Sequence, residues 1–279
     1  MTDKKRERGD WQTPLTFAKK CCVIIAELFS FRPDYIIEPT CGKGNFIAAA
    51  KEVFPGVPIL GMEIDESYIG VLEETFGDDG DIEIIQGDYL HEDKTKAITR
   101  GNATLVLGNP PWVTISTLSA LGSNNLPEKR NVKKLRGIDA ITGQSNFDIS
   151  EWIIEKALST FNGSDDMLAM LCKTSVARNV CKELAKQHAD VECTMMHFDS
   201  SKIFGISAAA CLFVCDFRRM QFAIRGCELD DPSNIVNLVI QDGEIRQELP
   251  EALKELQGTS TLQWRQGVKH DCGRVMELN

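Results

Sequence analysis

Asn109, Pro110, Pro111 and Trp112 follow directly on the apolar run "LVLG", and their types suit one kind of chemistry. Each proline fixes its own φ and drives the residue before it towards extended backbone, so the tetrapeptide is rigid. Asn109 offers a side-chain oxygen, and Pro110 a carbonyl that Pro111, lacking an N–H, does not draw into a local turn. Two fixed acceptors hold a planar amino group by both hydrogens and stabilise the positive charge that develops on its nitrogen during attack. Trp112 adds a flat surface on which a planar target stacks. A tight turn at a sheet edge is the purely structural reading, but average usage brings this tetrapeptide up by chance in well under about one chain in a hundred.

The ends of the preceding apolar runs carry matching groups. "YIIE" leads into "PTCGKGNF", where Gly42 and Gly44 let the backbone turn tightly and approach a ligand ahead of a helix N-terminus. A dinucleotide site needs a third glycine where Ile47 stands, so NAD is not indicated. Glu38 ends the first run, Glu63 the second, and Asp88 follows the third in "GDYL". Acids in these places suit an α-amino group at Glu38, ribose hydroxyls at Glu63 and an exocyclic adenine amine at Asp88. A ligand with an amino group, a ribose, an adenine and a positive sulfonium fits this ring better than one bearing phosphates. That ligand is S-adenosylmethionine. Taken singly, each acid is equally well a polar strand end at a solvated rim.

These residues need elements to hold them. Ala18, Cys22, Ile25 and Phe29 recur at helical spacing and predict an amphipathic helix over 15–29. Beyond it, short apolar runs alternate with helical stretches: "YIIE" with "NFIAAAKEVF", "PILGMEI" with "SYIGVLEETF", then "IEIIQ" and "ATLVLG". The alternation predicts an α/β fold, a doubly wound sheet whose ligands lie beyond the carboxyl ends of the parallel strands. "VECTMMHF" and "AAACLFVCDF" have no clear helix between them and predict an antiparallel hairpin closing one edge. We expect a catalytic domain over 1-218 and an extension over 219-279, in which "NIVNLVIQDGEI" predicts a hairpin around Asp242 and Gly243.

Composition narrows the function classes. With 279 residues, 43% of them hydrophobic, the chain supports one sizeable core and a small appendage. No window nears the roughly 20 apolar residues of a membrane span, and the start lacks a signal-peptide core, so the cytoplasm is the expected location. The ten cysteines stand in runs such as "KKCCVII" as core residues, and without a CxxC pair no metal is expected. A net charge of -10 excludes coating of nucleic acid by bulk electrostatics. Local basic tracks remain at Lys4, Lys5, Arg6 and Arg8 and from Lys129 to Arg136, which serve phosphates or form solvated faces.

"EPTCGKGNF", "GMEID", "GDYL" and "GNPPW", in that order, resemble the successive motifs of N6-adenine DNA methyltransferases. "WQTP" at 11–14, ahead of a helix, is similar to the first motif of their gamma arrangement, found in restriction-modification systems. "NFDISEWIIEKAL" resembles the helix after the catalytic loop, and "MLAMLCKTSVARN" the next strand and its loop. The resemblance covers about residues 9 to 217. It implies a Rossmann-like S-adenosylmethionine-dependent methyltransferase that methylates N6 of an adenine flipped out of DNA. Thr13 would help hold the methionine carboxylate, with Glu38, Gly42, Gly44, Glu63 and Asp88 also on the cofactor and Tyr89 packing on its adenine. Asn109 and Pro110 would orient the amine, while Trp112 and Phe204, the aromatic residue of "SSKIFGISAAACLFV", sandwich the target ring. Cys41 and Lys43 depart from the small residues common in the glycine loop, and Trp112 from the commoner tyrosine.

The implied partners are DNA, a recognition or specificity polypeptide and a restriction endonuclease. "LQWRQGVKHDCGRVMELN" resembles the segment leading into a target-recognition part, so specificity is expected from such a part or from another polypeptide. Methylation of RNA or of a protein glutamine amide stays open, because two acceptors suit any planar nitrogen. A non-catalytic DNA-binding subunit stays open as well. "WQTP" and the Phe204 segment favour DNA.

Overall fold

The structure, a computed structural model, describes residues 11–90, 102–114, 148–161 and 165–249. Helix α1 (Leu15–Glu27) starts where the Pro14 carbonyl accepts the N–H groups of Phe17 and Ala18, and it buries Ala18, Cys22 and Ile25 as their spacing predicts. Then come β1 (Tyr35–Glu38), α2 (Asn45–Val53), β2 (Ile59–Glu63), α3 (Glu66–Phe76), β3 (Ile82–Gln86) and β4 (Thr104–Gly108). The chain continues with α4 (Ile149–Thr160), β5 (Met167–Lys173), α5 (Thr174–Lys186), β6 (Glu192–Asp199), α6 (Ser200–Phe204) and β7 (Ala209–Asp216). Last are β8 (Ala223–Glu228), β9 (Asp231–Gln241) and β10 (Glu244–Gln247).

One ten-stranded sheet takes the order β10-β9-β8-β6-β7-β5-β4-β1-β2-β3. The strands from β3 to β5 in that order run parallel, and β7 is antiparallel to both its neighbours. The chain winds outward from β1 to β3 and then crosses back to β4 on the other side of β1, which puts the topological switch between β1 and β4. Successive strand residues point to opposite faces. Ile36, Leu105 and Met167 therefore join α1, α2 and α3 in one core, while Ile37, Val106 and Leu168 join α4 and α5 in the other.

All nine described cysteines are buried and free, and burial pushes the Cys21 thiol up to about 12. They are core residues, as their apolar settings predict. Among the described residues no helix is long and apolar enough to cross a membrane, and no group of His, Cys, Asp and Glu is placed to hold a metal ion. The basic residues Lys4 to Arg8 and Lys129 to Arg136, and the segment from Leu262 onwards, lie outside the described residues.

Two features depart from expectation. The β6–β7 pair is antiparallel as predicted, but it contains the five-residue α6, whose start Asp199 caps by accepting the Ser201 N–H at 3.0 Å. Nor does the pair close the sheet: β8 adds parallel to β6, and β9 and β10 follow. The first compact unit runs to Gln247. The predicted turn is present, with Gln241 paired to Glu244 and both Asp242 and Gly243 at positive φ.

One ion pair ties the end of β7 to the end of α1. The fully buried Asp216 accepts from Nε and Nη2 of Arg218 at 2.9 and 2.8 Å, Nη2 also reaches the Phe29 carbonyl at 2.8 Å, and the guanidinium lies 5.0 Å from the Phe31 ring centre. Arg218→Met leaves a buried carboxylate with the backbone N–H of residue 218 at 3.1 Å and the more distant Arg219 at 3.6 Å. It is expected to lower the unfolding free energy by about 2–3 kcal/mol in urea titrations; a loss inside the error of the titration would show that Arg219 replaces it.

Candidate active site

β1 carries Glu38, Pro39, Thr40 and Cys41 into a pocket at the carboxyl ends of the parallel strands, beside the switch point. The chain then turns through Gly42 (φ 52°) and Gly44 (φ 78°), backbone that L side chains rarely adopt. A Cβ on Gly42 would stand 2.6 Å from Gln12 Nε2, and one on Gly44 2.6 Å from the Phe76 ring. Gly42 thus admits the strap of residues 11–14 against the loop. Gly44 does not line the pocket; it lets α2 begin against α3.

The expected acids do meet. Glu38, Glu63 and Asp88 line the same pocket, joined by Asp65. Glu63 accepts the N–H groups of Gly42 at 2.7 Å, Ile64 at 2.9 Å and Asp65 at 2.8 Å, so its charge is met by backbone. One Asp88 oxygen takes the Leu90 N–H at 2.9 Å. Glu38 is only 3% exposed; burial pushes its carboxyl well above the usual range, the Ile47 N–H opposes that, and the Glu63 carboxylate adds to it. No lysine, arginine or histidine is among the described residues that line the pocket.

Buried oxygens without a partner among the described residues gather here: Thr13 Oγ1, Glu38 Oε2, Thr40 Oγ1 and Asn109 Oδ1. Each such group costs about 1–3 kcal/mol if left unpaired, so their convergence marks a place for a polar ligand. Asn109 donates from Nδ2 to the Trp11 carbonyl at 2.8 Å, across 98 residues of sequence, which leaves its oxygen as the free acceptor. Asn109 and Pro111 line the pocket, whereas the buried Pro110 does not.

The aromatic pair differs from expectation. Trp112 is buried, its indole N–H donates to the Leu171 carbonyl at 3.2 Å, and its ring meets Phe204 edge to face at 5.5 Å and 74°. A base held between them would need the two rings parallel and about 7 Å apart, so the sandwich is not formed. Tyr89 is in the pocket as expected, with its carbonyl taken by Lys156, whose ammonium also lies 5.2 Å from the ring centre. Burial raises the Tyr89 hydroxyl above its ordinary range.

Several lining residues had no place in the sequence argument. Thr40 stands in the glycine loop with no role read for it. Asp65 caps α3 by accepting the Ser67 N–H at 3.0 Å, and "IDES" carries that N-cap signal. Ile149 and Ile153 enter from one face of α4 at the i, i+4 spacing that a helix dictates.

The chain is 38% identical over 286 residues to the type II methyltransferase M.NspV of Nostoc sp., a match covering 98% of this chain and 59% of that protein. It spans less than two thirds of the length of the curated relatives it matches. No family model matches it. Among solved structures, the methyltransferase subunit of a type I restriction-modification system from Streptococcus thermophilus superposes with a TM-score of 0.58 at 15% identity, over 86% of this chain and 50% of that one. The 23S rRNA methyltransferase ErmE gives 0.52 at 12% identity, over 76% and 72%. These likenesses show the fold alone, one that this chain shares with methyltransferase structures.

Glu38 yields a signed pH effect. The folded chain retains a proton that the unfolded chain releases near pH 4.3, so stability falls as pH rises above that value, until the folded carboxyl itself ionises. Urea unfolding of the wild type between pH 4 and 8 is expected to show a downward contribution that Glu38→Gln removes, leaving the variant the more stable protein at pH 7. Parallel profiles for the two proteins would mean that Glu38 is not held neutral.

Proposed function

We propose that this homologue of type II restriction-modification methyltransferases transfers a methyl group from S-adenosylmethionine to N6 of an adenine in DNA, in the cytoplasm. The observation that carries the reading is Asn109 Oδ1, a buried acceptor without a protein partner, aimed by the bond from Nδ2 to Trp11 and set in an acid-lined pocket. Asn109 takes one hydrogen of the amine and the Pro110 carbonyl takes the other. So held, the nitrogen lone pair is turned out of the ring's conjugation, and the two oxygens stabilise the charge that develops on it.

The cofactor's groups fit the unpartnered atoms. An ammonium beside Glu38 Oε2 restores that carboxylate's charge. The hydroxyls of Thr13 and Thr40 suit the methionine carboxylate, Glu63 and Asp65 the ribose, and Asp88 the adenine amine, with Tyr89, Ile149 and Ile153 along the ring. S-adenosylmethionine supplies an electrophilic methyl on a positive sulfonium, which suits a lining whose described residues include carboxylates and no basic group. Gly42 keeps the loop close, and Gly44 serves it through the start of α2. For the target base to stack on Trp112, Phe204 and the short α6 must move aside.

The test is to incubate the protein with labelled S-adenosylmethionine and unmethylated DNA, RNA and protein, then digest the products. The expected label is on N6 of deoxyadenosine, and Asn109→Ala is expected to lose it while binding the cofactor within about threefold of wild type, since the transition-state contact alone is removed. Label confined to RNA or to glutamine amides would overturn the DNA assignment, and full transfer by Asn109→Ala would overturn the mechanism.

A further inference from the structure

We propose that Asn45 is a positioning residue: it holds the strap of residues 11–14 where the Trp11 carbonyl fixes the amide of Asn109. The inference rests on the role given to Asn109 above. Asn45 is the first residue of α2, and its Nδ2 donates to the Thr13 carbonyl at 2.7 Å. Two residues back along the strap, the Trp11 carbonyl accepts Asn109 Nδ2 at 2.8 Å. Between them, Gln12 Oε1 accepts the Lys43 N–H at 3.2 Å.

The strap lies in no helix or strand, so these three side-chain ties stand in for a ladder. Two run to the glycine loop and the start of α2, and one to the catalytic asparagine. An asparagine at the N-cap serves its own helix by accepting an N–H, but the N-cap here is Gly44 and Asn45 stands one residue inside it. Here α2 has no side-chain cap, and the Asn45 amide donates outward instead. Its geometry serves the strap, not the helix.

The consequence falls on Asn109. An amide presents an oxygen on one side and an NH2 on the other, and among the described residues the Trp11 carbonyl is the partner that specifies which side faces the pocket. With the strap displaced, the NH2 can turn towards the substrate amine, donor against donor. Asn45 thus links the loop proposed to carry the cofactor to the group proposed to carry the reaction.

Asn45→Asp separates this role from a helical one. It keeps the side chain's size and adds an acid in the first turn of α2, which favours the helix, yet it sets an acceptor against the Thr13 carbonyl. Asn45→Ala removes the donor without adding charge. The first readout is the Asn109 side-chain amide signal in the nuclear magnetic resonance spectrum, identified by its absence from Asn109→Ala. Both variants are expected to shift it, with Tm not lowered in Asn45→Asp. Single-turnover methyl transfer at saturating cofactor is expected to fall about tenfold to a hundredfold. An Asn109 signal unmoved in both variants overturns the proposal, whatever the activity. A moved signal with an unaltered rate keeps the strap as the holder of Asn109 and overturns the catalytic role assigned to that residue.

Discussion

The carboxylate of Glu63 accepts three backbone N–H groups, and the rim of the pocket hangs from it. Through Gly42 it draws the glycine loop of β1 to the end of β2, and through Ile64 and Asp65 it turns the chain into α3. Its carbonyl accepts the Gly87 N–H at 2.9 Å, so β3 is tied to the same place. A carboxylate met by several N–H groups is a strong and directional anchor. Three strand ends are thereby fixed relative to one another before any ligand arrives.

With Glu63 engaged by backbone, Glu38 is left with one oxygen that no described residue satisfies. Both belong to one rim, yet one is met by three N–H groups and the other keeps a buried oxygen without a partner. The same division runs through the rest of the site: Asn109 has its nitrogen taken and its oxygen free, and Asn45 and Gln12 are drawn into the strap while Thr13 and Thr40 keep free hydroxyls. Part of the polar lining builds the pocket. The remainder waits for a ligand's donors and acceptors.

The aromatic side is organised by packing. Trp112 leaves the loop after β4, reaches the Leu171 carbonyl on β5 and meets Phe204, the last residue of the short α6 before the αL turn at Gly205. Phe17 of α1 and Phe198 of β6 surround the same ring, so this contact belongs to a core. Opening a slot for a base there means moving a small helix rather than a single side chain.

The sequence by itself determined the parallel strands, the order of the groups at their ends and the convergence of Glu38, Glu63, Asp88 and Asn109. Period-two and helical apolar patterns are local, and strands of one direction bring their last residues to one edge. Gln12 and Asn45 were decided only in three dimensions, because hydrogen-bond partners 31 and 32 residues away leave no local periodicity. The same holds for Trp112, whose type announces a stacking surface while its indole N–H finds a carbonyl 59 residues on. Strand β8 joined the sheet past Arg218 although its surroundings read as weakly patterned, since its pairing with β6 and β9 runs through backbone bonds that any sequence can make. Residue type set which groups were available for chemistry; tertiary structure decided which of them the protein uses to build the pocket and which it leaves for a ligand.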